Sequence, residues 1–297
     1  MFLEVTKNNT LERWFGIAVP SERIFVLYLA TAFILSVCVF FYYRFMNSEN
    51  RPEKIDKGLF SYIFDKDVFL HRSARQDYLY FIINSLLYVG IISQLMVSTH
   101  FFTSAFLAVL QNIFGVSDDP LFTANLYFTM GYTIVSVLLL DFAIFITHYF
   151  QHKIPVLWQF HQVHHSAEVL TPITVYRMHP VDLFFTGLTA ICLTSLGIAG
   201  YFYLTGEAAE AKSIYGVNIV LFVFYIVGYN LRHSHIWLNY PSWLSYIFIS
   251  PAQHQIHHSS AEKHFDKNLG FIFSFWDWMF GTLYVPRHYE KLNYGIA

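Results

Sequence analysis

The stretch DFAIFITHYFQH, Asp141 to His152, decides how the rest of the chain is read. Ahead of it, Leu121 to Leu140 is apolar and long enough for a helix to cross a bilayer core of about 30 Å. If that helix runs on past the lipid at about 100° per residue, His148 and His152 fall about 20° to either side of Asp141 on the wheel. One stripe then carries a carboxylate and two imidazoles, and histidines at i and i+4 can reach a single metal ion. Asp141 is placed to accept from the second ring nitrogen of a ligating histidine. The competing reading is a polar cap on a membrane span, with Asp141 as an ion-pair partner.

Further histidines decide against that simpler reading. HQVHH supplies His161, His164 and His165, which share a helical face, and HQIHH repeats the spacing at His254, His257 and His258. Single histidines stand next to apolar runs at His179, in RMHPVD, and at His233, in NLRHSH, with His235 two residues on. Six or more charged imidazoles packed together repel one another and lose hydration. A bound cation reverses this by recruiting the neutral rings as ligands. A structural zinc site closes with four ligands. The ten histidines 148, 152, 161, 164, 165, 179, 233, 254, 257 and 258 therefore suit two ions better than one. His264 is expected outside the ligand set, and His71, His100 and His288 as structural or surface residues. Asp266, Asn268 and Asp277 are candidates for supporting hydrogen bonds, the first two more simply read as turn residues.

The setting is a membrane. Of 297 residues 55% are hydrophobic and 13% charged, against about 25% charged in a soluble domain. A net charge of −2 argues against a nucleic-acid partner. Cys38 and Cys192, the only cysteines, lie in apolar runs, which excludes a disulfide framework and a cysteine metal site. Crossings are expected at 24–43, near 78–99, at 121–140, at 183–206 and at 213–231, with 101–115 either spanning or interfacial. Seven Lys or Arg lie from Arg44 to Arg75, and none between His100 and Leu121. Positive loops stay cytoplasmic, which puts the histidines on the cytoplasmic face. The expected fold is an all-α integral membrane protein of four to five transmembrane helices, with a cytoplasmic helical cap holding the dimetal site. Residues 1–120 supply N-terminal spans and 121–297 the catalytic unit.

Taken together, 148–152, HQVHHS at 161–166, MHP at 178–180, HS at 233–234, QHQIHHS at 253–259 and DKNLGFIFSFWDWMFGTLY at 266–284 resemble the fatty acid hydroxylase/sterol desaturase superfamily of membrane-bound di-iron enzymes. The resemblance covers roughly 130–285. It implies O2-dependent hydroxylation or desaturation of a lipid at two irons held by the ten histidines named above. It also implies electrons from an external donor, cytochrome b5 with a reductase or a ferredoxin. The family often has Asn where this chain has His235, which leaves the choice of ligand between His233 and His235 open. Asp141, His235 and Asp277 are expected to support the ligands. Trp158, Phe160, Tyr176, Trp237, Trp276 and Trp278 line a lipid entry or simply mark the membrane interface. The membrane is a bacterial inner membrane or an endoplasmic reticulum. Two other classes remain: a zinc metallohydrolase, which lacks an H-E-x-x-H here, and a non-enzymatic metal-binding membrane protein, which would want ionisable residues within its spans.

Overall fold

Long apolar runs without internal proline become helices, because in lipid each backbone N–H and C=O must be satisfied within its own segment. The computed structural model describes residues 16–45, 51–87, 98–116 and 119–296. Its long helices are α1 (Val26–Phe45), α2 (Arg72–Leu87), α3 (Thr99–Phe114), α4 (Leu126–Lys153), α5 (Pro155–His165) and α6 (Pro180–Thr205). Three of the described helices, α1, α4 and α6, are long and apolar enough to cross a membrane. α4 has 28 residues, about 42 Å, so it outruns the hydrocarbon core and carries its last turns clear of it.

Local signals set the ends of these helices. The Asn125 side chain accepts from Phe128 N at the start of α4. Ile154 leaves the helical region and Pro155 opens α5, which folds back on the end of α4. His179 and Pro180 start α6, and Gly206, at φ 70°, closes it.

Two expected crossings look different in the structure. The one near 78–99 begins earlier, at Arg72, and residues 88–97 lie outside the described residues. α3 is about 24 Å long and packs along α6. The expected crossing at 213–231 is not a continuous span. It holds a two-stranded hairpin, β1 (Ser213–Ile214) and β2 (Val217–Asn218), then the eight-residue helix α7 (Ile219–Ile226), about 12 Å long. Tyr215 and Gly216 turn the hairpin with positive φ, and Gly228 ends the helical stretch at φ 101°. Both apolar content and length suggested a helix, but these left-handed positions break it.

The hairpin is pinned to α4 through Thr133. Lys212 N donates to Thr133 Oγ1 (2.9 Å), and Asn218 Nδ2 to Thr133 O (3.0 Å). Thr133 lies fifteen residues before His148 on α4, about 22 Å along the axis. The chain therefore turns partway down the bundle and climbs back along α7 to His233. Phe25, Tyr28, Val137, Leu221, Tyr225, Tyr229 and Ile272 form the core it climbs past. Two short helices complete the histidine-bearing end, α8 (Pro251–His257) and α9 (Phe275–Phe280). α8 is started by a reciprocal Ser250–Gln253 cap and is buried along its whole length.

Candidate metal centre

Four pieces of chain deliver the histidines: the end of α4, α5, the turn after α7, and α8 with His258. They assemble two groups. In each, one ring nitrogen per residue lies within 4.8 Å of the others: His148, His152, His161, His165 and His257 in the first, His164, His233, His254 and His258 in the second. The groups adjoin, with the His165 and His258 ring centroids 4.7 Å apart. The three histidines of each H-x-x-H-H box share a helical face, yet they divide between the two groups. In α5, His161 and His165 at i and i+4 share the first group while His164 serves the second; in the later box, His254 and His258 share the second while His257 serves the first. Neighbours on a helix diverge by about 100°, so each box straddles two centres.

Hydrogen bonds orient the rings. Nδ1–H of His148 donates to Leu269 O (2.8 Å), of His161 to Asp182 Oδ2 (3.1 Å), of His164 to Arg177 O (3.1 Å) and of His257 to Lys267 O (2.9 Å). His152 Nδ1 faces Asp266 Oδ1 at 3.4 Å. With Nδ1 protonated, Nε2 keeps its lone pair. In the first group Nε2 of His148, His152, His161, His165 and His257 is buried and has no hydrogen-bond partner. Each such orphan costs about 1–3 kcal/mol when nothing meets it, so five converging ones call for a shared acceptor of lone pairs, which is a cation.

In the second group the Nε2 atoms lie 3.1 Å apart for His233–His258 and His254–His233, and 3.3 Å for His233–His164 and His258–His254. Nitrogens about 2.0–2.1 Å from one tetrahedral ion stand about 3.3–3.4 Å apart. Burial, then the neighbouring rings, pushes His161, His165, His233, His257 and His258 well below the usual 6.5, and His164 down to about 3. Neutral imidazole is the ligating form. His254 differs. Arg232 Nη2 donates to its Nδ1 (2.9 Å), so the neutral ring holds its proton on Nε2, and ligation requires that proton to leave.

The structure gathers nine of the ten sequence-selected histidines. His179 stands apart: its Nδ1 accepts from Val181 N at the start of α6, and its ring packs on Phe160. The two alternatives near 233 separate cleanly. His233 joins the second group, while His235 turns away and donates from Nε2 to Tyr62 O (2.6 Å). Asp141 touches no histidine. It accepts from Ile272 N, Phe273 N and Trp276 Nε1, and so ties the C-terminal loop to α4. Asp277 supports a ligand at one remove. It accepts from Leu269 N and Gly270 N, fixing the loop whose Leu269 carbonyl holds His148. That loop is too tight for a side chain at Gly270, where a Cβ would lie 2.7 Å from Phe273 O.

Of the aromatic residues, Trp158 packs on His152 and His165, whereas Trp237 packs on Tyr289. Sequence reading missed Asp182, Arg232 and the carbonyls of Arg177, Lys267 and Leu269. Asp182 had a signal, a carboxylate three residues after His179 in RMHPVD; the carbonyls have none.

Similarity to known proteins agrees with this architecture. The fatty acid hydroxylase profile matches residues 133–282, half of the chain. The chain belongs to the fatty acid hydroxylase family. It is similar to the alkylglycerol monooxygenase of Xenopus tropicalis, 28% identical over 160 residues, which are 53% of this chain and 31% of that protein. It also resembles the ornithine lipid hydroxylase OlsE of Rhizobium tropici, at 27% over 55% of this chain and 45% of that one. Human cholesterol 25-hydroxylase is 30% identical over 54% and 53% of the two chains. The chain thus matches about half or less of the length of these relatives. No solved structure matches it. The family region carries all nine gathered histidines. It also carries Asp182. Asp182→Ala leaves His161 Nδ1 buried and unpaired, and metal affinity falls about 10–100-fold, read by titrating a chelator against the purified protein.

Proposed function

We propose that this fatty acid hydroxylase family member oxidises an unactivated C–H bond of a membrane lipid with O2, giving hydroxylation or desaturation. Two irons serve it, one held by His148, His152, His161, His165 and His257, the other by His164, His233, His254 and His258. The observation that carries the reading is the convergence of nine histidine Nε2 atoms into two adjoining groups, five of them buried and without a hydrogen-bond partner. Iron bound there supplies the O2-activating oxidation that side chains alone cannot perform.

The chain's own part is to hold, shield and feed that centre. Asp182, Asp266 and three backbone carbonyls fix the ring orientations, which keeps the lone pairs aimed inward before any ligand arrives. Seven of the nine histidines are buried and the other two, His148 and His152, are half-buried, which limits water at the reacting carbon. On this reading α1, α4 and α6, the helices long and apolar enough to cross a membrane, sit in the bilayer, a lipid chain reaches the centre from it, and an electron donor docks at the opposite, polar end. That donor is cytochrome b5 with its reductase, or a ferredoxin, and the polar end faces the cytoplasm. The membrane is a bacterial inner membrane or an endoplasmic reticulum. Residues 121–297 form the catalytic unit and 1–120 its membrane support. The names of the relatives, an alkylglycerol monooxygenase, an ornithine lipid hydroxylase and a cholesterol 25-hydroxylase, support a lipid substrate.

The experiment is lipid profiling of cells with and without the gene, and with His161→Ala, alongside metal analysis of the purified protein. A lipid that gains one oxygen or loses two hydrogens, only with the intact protein and with iron bound, is the expected result. A single zinc and turnover indifferent to O2 would overturn the reading in favour of a hydrolase.

A further inference from the structure

One stripe of α1 lines a cavity away from the histidines. Leu35, Cys38, Val39, Tyr42 and Tyr43 fall at i, i+3, i+4, i+7 and i+8, a single face about 12 Å long, and form one wall of a space of about 590 Å3. The loop from Trp237 to Ser242 forms the other wall, and Arg287 to Tyr289 stand at the same cavity. Ligand sites commonly enclose about 300–1,000 Å3.

The cavity has two unlike ends. α1 is long and apolar enough to cross a membrane and ends in Arg44, so Leu35 lies at membrane depth and Tyr43 near its edge. At the deep end Leu35 and Leu238 meet over Gly228, where a Cβ would lie 3.3 Å and 3.2 Å from them. Two turns later Tyr43 and Tyr289 pack with Trp237 against Ala252 and Ile256 of α8. Asn239 Nδ2 donates to Pro286 O (2.7 Å), which ties the segment carrying Arg287 to the facing loop.

The outer end is basic. Among the described residues that line the cavity, Arg287 is the one with a permanent charge; it is exposed, and its guanidinium makes no hydrogen bond or ion pair among the described residues. His288 stands beside it. The nearby carboxylates are occupied: Glu290 binds Lys263 Nζ (2.5 Å) and Tyr284 Oη (2.8 Å), and Glu53 binds Lys291 Nζ (2.9 Å). A guanidinium presents paired N–H donors that match phosphate oxygens. Tyr and Trp gather at headgroup level, and basic pockets beside spanning helices hold anionic headgroups. An apolar groove that opens on an uncompensated cation has the chemistry of an acyl chain joined to a phosphate.

We propose that this cavity binds one anionic glycerophospholipid, its phosphate at Arg287 and His288 and one acyl chain along the Leu35–Tyr43 face of α1. The lipid is a resident and not the substrate. Trp237, which is buried, both lines the cavity and packs on Ala252 and Ile256, whereas His254 lies about 160° around α8 from those two residues. The occupant therefore braces the back of the helix that brings His254 and His257 to the metal centre. The inference goes beyond the oxidation reading and stands without it.

The test is equilibrium binding. Purified full-length protein, stripped of lipid in detergent, is titrated with dioleoyl phosphatidylglycerol, dioleoyl phosphatidylcholine, dioleoylglycerol or glycerol 1-phosphate. Bound molecules are counted by native mass spectrometry, with metal content measured on the same samples. One phosphatidylglycerol binds at about tenfold lower concentration than phosphatidylcholine or dioleoylglycerol, and glycerol 1-phosphate does not displace it. Arg287→Gln changes an exposed side chain and removes that preference with metal content unchanged. Cys38→Trp puts a ring into the apolar groove and weakens binding of every lipid, the acidic one included. No turnover is measured, so failure of the oxidation reading leaves these outcomes intact. Equal affinity for the acidic and zwitterionic lipids, a preference that survives Arg287→Gln, binding indifferent to Cys38→Trp, or displacement by glycerol 1-phosphate alone would overturn the proposal.

Discussion

Replacing His257 by alanine is expected to strip metal from the five-histidine group and to reduce the proposed lipid oxidation by more than the roughly hundredfold that goes with loss of an outer hydrogen-bond partner. The reason is position. His257 is the one member of the first group that comes from α8, and its ring lies 4.6 Å from both His148 and His165 between centroids. Without it, lone pairs from α4 and α5 face a gap that no neighbouring side chain fills. His179→Ala makes the counterpart. Its ring caps α6 and packs on Phe160, so the variant keeps its metal and loses only a helix cap, about 1 kcal/mol. Metal per chain by mass spectrometry, with product measured on the same preparations, separates the two. Equal metal loss in both variants would mean that His179 is a ligand and that the two groups are drawn too narrowly.

Arg177→Met is expected to cost about 3–5 kcal/mol, because it strands a buried partner. Arg177 Nη1 meets Asp77 Oδ1 at 2.9 Å with both side chains nearly sealed from solvent, and Thr174 Oγ1 donates to the same carboxylate. Its other nitrogens bond Val163 O, Ser166 Oγ and Gln76 Oε1. The guanidinium thus joins α2 to the end of α5, and the carbonyl of the same residue accepts from His164 Nδ1. Loss of fold and loss of the second metal should go together in this variant, seen as a lower unfolding temperature in detergent and fewer metals per chain. The double variant Asp77→Leu with Arg177→Met, which removes both charges, recovers much of the stability. If it is no better than Arg177→Met alone, the ion pair is not what joins these elements.

These two sites show what kind of information each level holds. The helical stripe at 141–152 and the repeated boxes could be read from spacing alone, because a helix converts spacing into direction. The same rule was applied too coarsely to His161, His164 and His165, which split between two groups although they share a broad face. Asp141 is the instructive error. It lies on the histidine stripe, yet His148 is seven residues, or about 10.5 Å, further along the helix, and the backbone N–H groups of Ile272 and Phe273 reach Asp141 instead. The expected crossing at 213–231 failed for a different reason. Hydropathy records the solvent a segment prefers, not whether Tyr215, Gly216 and Gly228 will bend it.

By itself the sequence determined that the chain is a helical membrane protein with histidines at helical spacing, since hydropathy and periodicity are local properties carried by each segment. Only the tertiary structure decided how those imidazoles are shared between two centres, that His179 and His235 stand outside them, and that Asp182 and backbone carbonyls hold the rings. Those outcomes depend on contacts between residues as far apart as His148 and Leu269, and a carbonyl oxygen is present at every position, so nothing in one segment can announce which will be used.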